Sequence, residues 1–131
     1  MFFNLFKGKS WSESKKLTKQ IINQVGLKSD FTKKVRQLSG GMKRRCSLAI
    51  ALTGDPDILF LDEPSSGLDP VKRRQFWALI KQLKGDKALM LTTHLMEEAE
   101  TLCNNIGIIT KGQLRCHGTS TELKSYFTKG L

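Results

Sequence analysis

The stretch "DPDILFLDEPSSGLDP", residues 55–70, decides the fold. Four consecutive apolar residues, Ile58 to Leu61, bounded by turn-forming residues, read as a buried strand. That strand runs directly into two adjacent carboxylates, Asp62 and Glu63. Left desolvated, the pair would repel and cost several kcal/mol. A bound cation removes the objection, because Mg²⁺ takes one or two carboxylates plus phosphate oxygens and waters. Asp62 is then the metal-side acid, and Glu63 is placed to accept a proton from an attacking water. An acidic turn at a strand end is the plain alternative, and the pair gains meaning only from its neighbours.

Upstream lies "LSGGMKRRCSLAIALTGDP", residues 38–56. Ser39 is a natural N-cap, and residues 41–53 read as a mostly buried helix closed by Gly54, Asp55 and Pro56. Lys43, Arg44 and Arg45 sit in its first turns, where the helix dipole disfavours positive charge. Gly40 and Gly41 leave the amides uncovered and Ser39 adds a hydroxyl, the makings of an anion site. A capped helix with solvated basic residues explains the fragment equally well.

Downstream, Asp69 and Pro70 supply the cap and first turn of another helix, with Phe76, Ile80 and Leu83 on its apolar side and Gly85 as its stop. "KALMLTTH" (87–94) is a second strand ending at His94, "LMEEAETLC" a short helix and "IGIIT" (106–110) a third strand. A turn at Lys111-Gly112 leads into "QLRCHG" (113–118), and a last helix begins near Thr119, with Glu122 three residues on. Strands alternating with helices predict a parallel α/β sheet, with the last two strands as an antiparallel hairpin. Such sheets gather their chemistry at the carboxyl ends of the strands, where Asp62, Glu63 and His94 all fall. A lone histidine is more often structural than catalytic; this topological position raises the odds for His94 and gives none to His117.

Ahead of these segments, Ser10 and Glu13 have capping-box spacing, and Gly26 can end the helix they open. Leu17, Ile21 and Val25 share its core face, and residues 28–37 form a polar connector. Gly8-Lys9-Ser10 resembles the end of a phosphate loop, G-x-x-x-x-G-K-[ST]. That motif needs glycine at position 3, which holds Phe3.

The chain has 131 residues, the size of one modest domain, and a formal charge of +10. Residues 1–38 hold 9 Lys/Arg against 2 Asp/Glu, an excess suited to nucleic acid or an anionic membrane surface, or to a solvated helix face. With 7 Phe, 2 Trp and 1 Tyr mostly at expected core positions, the aromatic and basic interleaving of single-strand binders is missing, which argues against nucleic acid. The 3 cysteines, Cys46, Cys103 and Cys116, form no CxxC pair and read as reduced thiols. No secretory signal is expected, and no apolar run approaches the roughly 20 residues that cross a bilayer.

Together, "LSGGM" (38–42), "ILFLDEP" (58–64), "SGLD" (66–69) and "TTH" (92–94) resemble the signature, Walker B, D-loop and switch-histidine motifs of an ATP-binding cassette nucleotide-binding domain. "GLDPVKRRQFW" and "TTHLMEEAETLCNNIGIITKGQLRCHGT" resemble the A subfamily, whose members are lipid-type transporters. The resemblance implies the C-terminal part of such a domain, over residues 1–131: a helical segment at 1–37, then the motifs, hairpin and last helix at 38–131. It implies an incomplete three-layer fold of the phosphate-loop NTPase type, with the phosphate-loop strand missing from inside the sheet.

The implied ligands are ATP and Mg²⁺. Asp62 would help hold the metal, Glu63 would be the general base and His94 would sense the γ-phosphate. Ser39, Gly40, Gly41 and Met42 would bind the nucleotide held by the opposite cassette, and Asp69 would link the two sites. Met42 stands where many cassettes have glutamine. The implied partners are a second cassette and the transmembrane domains of a transporter, at the cytoplasmic face of a membrane. The chain itself is expected to be soluble and, alone, inactive as an ATPase. Other readings remain open: a non-catalytic basic module derived from a cassette, or a soluble cassette ATPase acting on ribosomes or chromosomes.

Overall fold

A computed structural model describes residue 8 and residues 10–128, the side chain of Phe127 excepted. Phe3 and Lys9, on which the reading of Gly8-Lys9-Ser10 turns, lie outside the described residues, as does the rest of the apolar N-terminus. The chain divides into two units, one ending at Thr92 and the other beginning at Thr93.

In the first unit, helix α1 (Trp11–Gln24) opens on the expected capping box. The Ser10 amide donates to Glu13 Oε2 at 2.9 Å, and the Glu13 amide donates back to Ser10 Oγ at 3.3 Å. The polar connector holds two short 3₁₀ turns, Lys28–Asp30 and Val35–Gln37. Helix α2 (Gly40–Ala51) is capped by Ser39, whose Oγ accepts from the Met42 amide at 3.3 Å. Strand β1 (Ile58–Asp62), helix α3 (Pro70–Lys84) and strand β2 (Ala88–Thr92) form one parallel strand-helix-strand unit. Asp69 caps α3 through the Lys72 amide at 3.0 Å, and Gly85 ends it with φ +52°.

The register pairs Ile58 with Ala88 and Asp62 with Thr92. Leu59, at 1% exposure, Phe76, Trp77, Leu79 and Ile80 anchor this unit's core together with Val25, Leu27, Leu48, Ala49, Leu52 and Leu68. Only one face of the strand pair is covered. Ile58, Phe60 and Met90, alternate residues on the other face, are each more than half exposed. An uninterrupted apolar strand is written for burial on both faces, and here the described residues supply one layer.

The second unit contains helix α4 (Met96–Leu102), an antiparallel hairpin of β3 (Ile106–Thr110) and β4 (Gln113–Gly118), and helix α5 (Ser120–Thr128). Ala99, Ile106 and Leu123 form its core cluster, with Cys103, Ile108 and Cys116 packed against them. Thr119 and Glu122 form the second capping box, the Thr119 amide donating to Glu122 Oε2 at 2.8 Å.

The architecture is therefore mixed helix and strand, with a parallel pair and an antiparallel hairpin, as expected of a partial phosphate-loop NTPase fold. Three expectations change. Among the described residues, four strands form two separate two-stranded sheets. β2 ends at Thr92, so His94 lies past the strand instead of closing it. Helix α2 buries only Leu48 and Ala49, because its apolar residues outnumber the neighbours available to cover them.

Candidate functional site

β1 and β2 deliver Asp62 and Thr92 side by side, the last rung of the ladder. The Thr92 hydroxyl donates to Asp62 Oδ1. The Glu63 amide donates to the Thr92 carbonyl at 3.0 Å and lies 3.3 Å from the Thr92 hydroxyl oxygen. One threonine thus fixes both acidic residues. The signal for it lies in "TTH", where a hydroxyl residue stands two positions before His94 at the strand end opposite the carboxylates.

Glu63 adopts φ +41°, a left-handed conformation that strains a side-chain-bearing residue by about 1–2 kcal/mol. The distortion turns the chain out of the strand. Residues 63–69 then form a tight loop in which the Ser66 amide donates to the Glu63 carbonyl at 3.1 Å and the Leu68 amide to the Ser65 carbonyl at 3.2 Å. Backbone strain of this kind is held where the surroundings over-determine it, commonly at functional sites.

Asp62 is exposed and Glu63 half-buried, so the two carboxylates are hydrated and the expected desolvation conflict is mild. Asp62 Oδ2 has no partner among the described residues, and no cluster of three metal-ligating side chains exists among them. A metal that needs only one or two protein carboxylates fits this donor set, and one that needs a full protein cage does not.

The N-terminus of α2 lies beside the same loop. Arg44 Nη2 donates to the Ser66 carbonyl at 3.1 Å, and Arg45 Nη1 to the Val25 carbonyl at 3.0 Å. These bonds answer the question raised by three cations in the first turns of a helix: two guanidiniums are engaged by backbone carbonyls of neighbouring segments. Ser39 and Gly40 are exposed, while Gly41 and Met42 are half-buried. A β-carbon at Gly41 would meet Leu68 Cδ2 and Lys72 Cδ, each at 3.9 Å, which places the α2 N-terminus against the start of α3.

Asp69 is engaged twice, as the cap of α3 and in an ion pair with Lys72 at 2.8 Å. The hydrogen bond from the Lys72 side chain, with the Lys72 amide second, holds its carboxyl below the usual carboxylate range. A cavity of about 170 Å³ opens between α2 and the end of β1, bounded by Arg44, Leu48, Phe60, Asp62, Pro64 and Phe76. A larger groove of about 740 Å³ lies toward the amino ends of the strands, between the second half of α1, Gly54, Asp55 and Gln82, and includes none of the candidate residues.

The first unit therefore brings Asp62, Glu63, Asp69 and the Ser39–Met42 segment into one connected group. His94, exposed, belongs to the second unit, two residues beyond Thr92 in the chain.

A family model described as ABC transporter matches residues 3–66. The chain is 48% identical over 128 residues to "ABC transporter A family member 9" of Arabidopsis thaliana, an alignment covering 98% of this chain and 14% of that protein. It is 43% identical over 130 residues to "ABC transporter A family member 9" of Dictyostelium discoideum, covering 99% of this chain and 15% of that protein. It is 42% identical over 129 residues to "ATP-binding cassette sub-family A member 17" of Mus musculus, covering 98% of this chain and 7% of that protein. The chain thus spans about one-seventh or less of the length of these relatives.

Proposed function

Because this chain belongs to the ABC transporter family, we propose that it contributes to ATP binding and hydrolysis that drive transport across a membrane. The observation that carries this reading is the Asp62-Glu63 pair, clamped to Thr92 at the strand end and tied through the 63–69 loop to the N-terminus of α2.

Mg²⁺, when bound, supplies the positive charge that offsets the phosphates. Asp62 would help hold that metal through its carboxylate. Glu63 acts as general base, accepting the proton of the attacking water. Ser39, Gly40, Gly41 and Met42 offer hydroxyl and backbone N–H groups to the nucleotide of a facing cassette. Asp69, held ionised by its Lys72 partner, joins the two sites. His94 would sense and stabilise the γ-phosphate.

In this reading residues 1–37 form a helical lead-in and 38–131 carry the motifs. The partners are a second cassette and membrane-spanning domains at the cytoplasmic face, and the cargo is lipid-like. No helix among the described residues is long and apolar enough to cross a membrane. The sequence holds no complete G-x-x-x-x-G-K-[ST] loop, so hydrolysis needs a phosphate cradle from outside these residues.

The test is Glu63→Gln in a complete cassette. Loss of a positioned general base lowers turnover by about 10²–10⁴-fold. ATP binding should be retained; unchanged turnover would remove Glu63 from the role. Tight Mg²⁺-dependent ATP binding by this chain alone would contradict the argument from the phosphate loop.

A further inference from the structure

The segment from Ser10 to Gln37 takes no part in the chemistry above, yet it carries a clear excess of positive charge. It holds seven Lys/Arg, all exposed, against two acids. Both acids are engaged, Glu13 in the capping box and Asp30 with Lys33 at 2.7 Å. Lys15, Lys16, Lys19, Lys28, Lys34 and Arg36 have no acidic partner among the described residues.

Charge alone would describe a solvated helix face. Here three large apolar side chains stand among the cations: Trp11 is 59% exposed, Phe31 54% and Val35 65%. This corrects the expectation that the aromatic residues are mostly in the core. On α1 the spacing is orderly, with Trp11, Lys15 and Lys19 four residues apart on one ridge, while Ser14 is buried and Ile21 half-buried. An indole at the head of a lysine ridge is the arrangement that seats at a lipid-water boundary, ring in the interface and ammonium groups among the phosphates.

We propose that the surface of residues 10–37 docks onto an anionic phospholipid surface, its cations engaging the headgroups and Trp11, Phe31 and Val35 entering the interface. Nucleic acid would also attract the cations and could stack on the two rings. Val35, the most exposed of the three, has no π face to offer a base, whereas an acyl boundary accepts aliphatic and aromatic groups alike. The proposal is independent of the ATP reading.

The test uses the full 131-residue chain, with co-sedimentation on vesicles of phosphatidylcholine alone and of phosphatidylcholine with phosphatidylserine. Trp11 is a built-in reporter, because the other tryptophan, Trp77, is 2% exposed and already in an apolar setting. The expected result is binding to the anionic vesicles only, weakened by added salt, with a blue shift of tryptophan emission that Trp11→Phe abolishes.

Combined Lys15→Glu, Lys16→Glu and Lys19→Glu should weaken binding by about a hundredfold, at ~fivefold for each cation lost. Far-UV circular dichroism checks that α1 persists. Should the triple variant unfold, the salt series and Trp11→Phe still decide. Equal binding to both vesicles, no binding to either, anionic binding without the emission shift, or tighter binding to a DNA or RNA oligonucleotide would each overturn the proposal.

Discussion

Ser14 is wholly buried within α1, and its hydroxyl has no hydrogen-bond partner among the described residues. Its amide is satisfied by the Ser10 carbonyl at 2.9 Å, and its carbonyl accepts from the Thr18 hydroxyl at 2.7 Å, so the defect is confined to one oxygen. Replacing Ser14 by alanine removes that oxygen. An unsatisfied buried hydroxyl costs ~1–3 kcal/mol, and alanine in a helix interior gains about 0.5 kcal/mol over serine. The void left by one oxygen takes back a few tenths of a kcal/mol. Ser14→Ala should therefore stabilise the chain by about 1.5 kcal/mol, against the usual destabilising sign of a buried substitution. At roughly 2 cal/mol/K per residue of unfolding entropy, that is ~5 °C in Tm for a chain of 131 residues. Urea denaturation followed by circular dichroism gives the free energy, and an unchanged m-value confirms that the effect lies in the native state. Ser65 supplies an internal comparison. Its hydroxyl is equally buried and likewise unpartnered among the described residues, but it sits in a loop, so Ser65→Ala should gain only the desolvation part, about 1 kcal/mol. Destabilisation of either variant by ~1 kcal/mol or more would mean that the hydroxyl has a partner, and the accounting would be wrong.

Two further outcomes follow from local geometry. Gly26 has φ +73°, and a β-carbon there would sit 2.9 Å from Arg45 Nη1, the group that donates to the Val25 carbonyl. Gly26→Ala should cost ~1–3 kcal/mol in urea denaturation, and Gly26→Asn, which tolerates the left-handed region better, measurably less. The second concerns pH. Asp30, Asp55, Asp69 and Glu100 are held below their ordinary range chiefly by hydrogen bonds from Lys33, Lys87, Lys72 and Lys124, and Glu122 chiefly by the Thr119 amide. Depressed folded-state values mean that the unfolded chain binds protons first as pH falls. Their stabilisation is thus complete above the unfolded carboxylate range near pH ~4 and is lost as pH drops through the folded values. Denaturation midpoints across that window check the sign, and added salt should flatten the dependence of the four lysine-paired groups more than that of Glu122.

What the sequence made legible is local. The caps at Ser10, Ser39, Asp69 and Thr119 were readable because each joins residues three apart, and the hairpin was readable because its turn is Lys111-Gly112. Asp62 and Glu63 stood out as a pair because they are adjacent in the chain. Features joining residues 20 or more apart were not legible: the Arg45 bond to Val25, the Arg44 bond to Ser66, and the register that sets Thr92 against Asp62. The burial of α2 was overestimated because an apolar pattern states what a segment would bury and not what is there to cover it. The end of β2 was placed two residues late because Thr93 and His94 continue the β-branched and polar run, while pairing stops where Glu63 turns away from the strand.

That turn at Glu63 also bears on how the site is held. A strained residue stays strained only if each neighbouring contact resists relaxation. Here the Glu63 amide is fixed on Thr92, its carbonyl accepts from the Ser66 amide, and the Ser66 carbonyl accepts from Arg44. The chain of bonds runs from strand end to loop to Arg44 in the N-terminal turns of α2, linking the carboxylates to the glycine-bearing end of that helix. Arg44 is therefore a positioning residue. A lysine there keeps the charge but reaches the Ser66 carbonyl as a single flexible point instead of a planar fork. Arg44→Lys should accordingly leave overall stability within about 0.5–1 kcal/mol while loosening the 63–69 loop, read as faster amide exchange at Ser66 and Leu68. Unchanged exchange at those two amides would show that the loop holds Glu63 by itself, and that the arginine at the head of α2 serves only the helix.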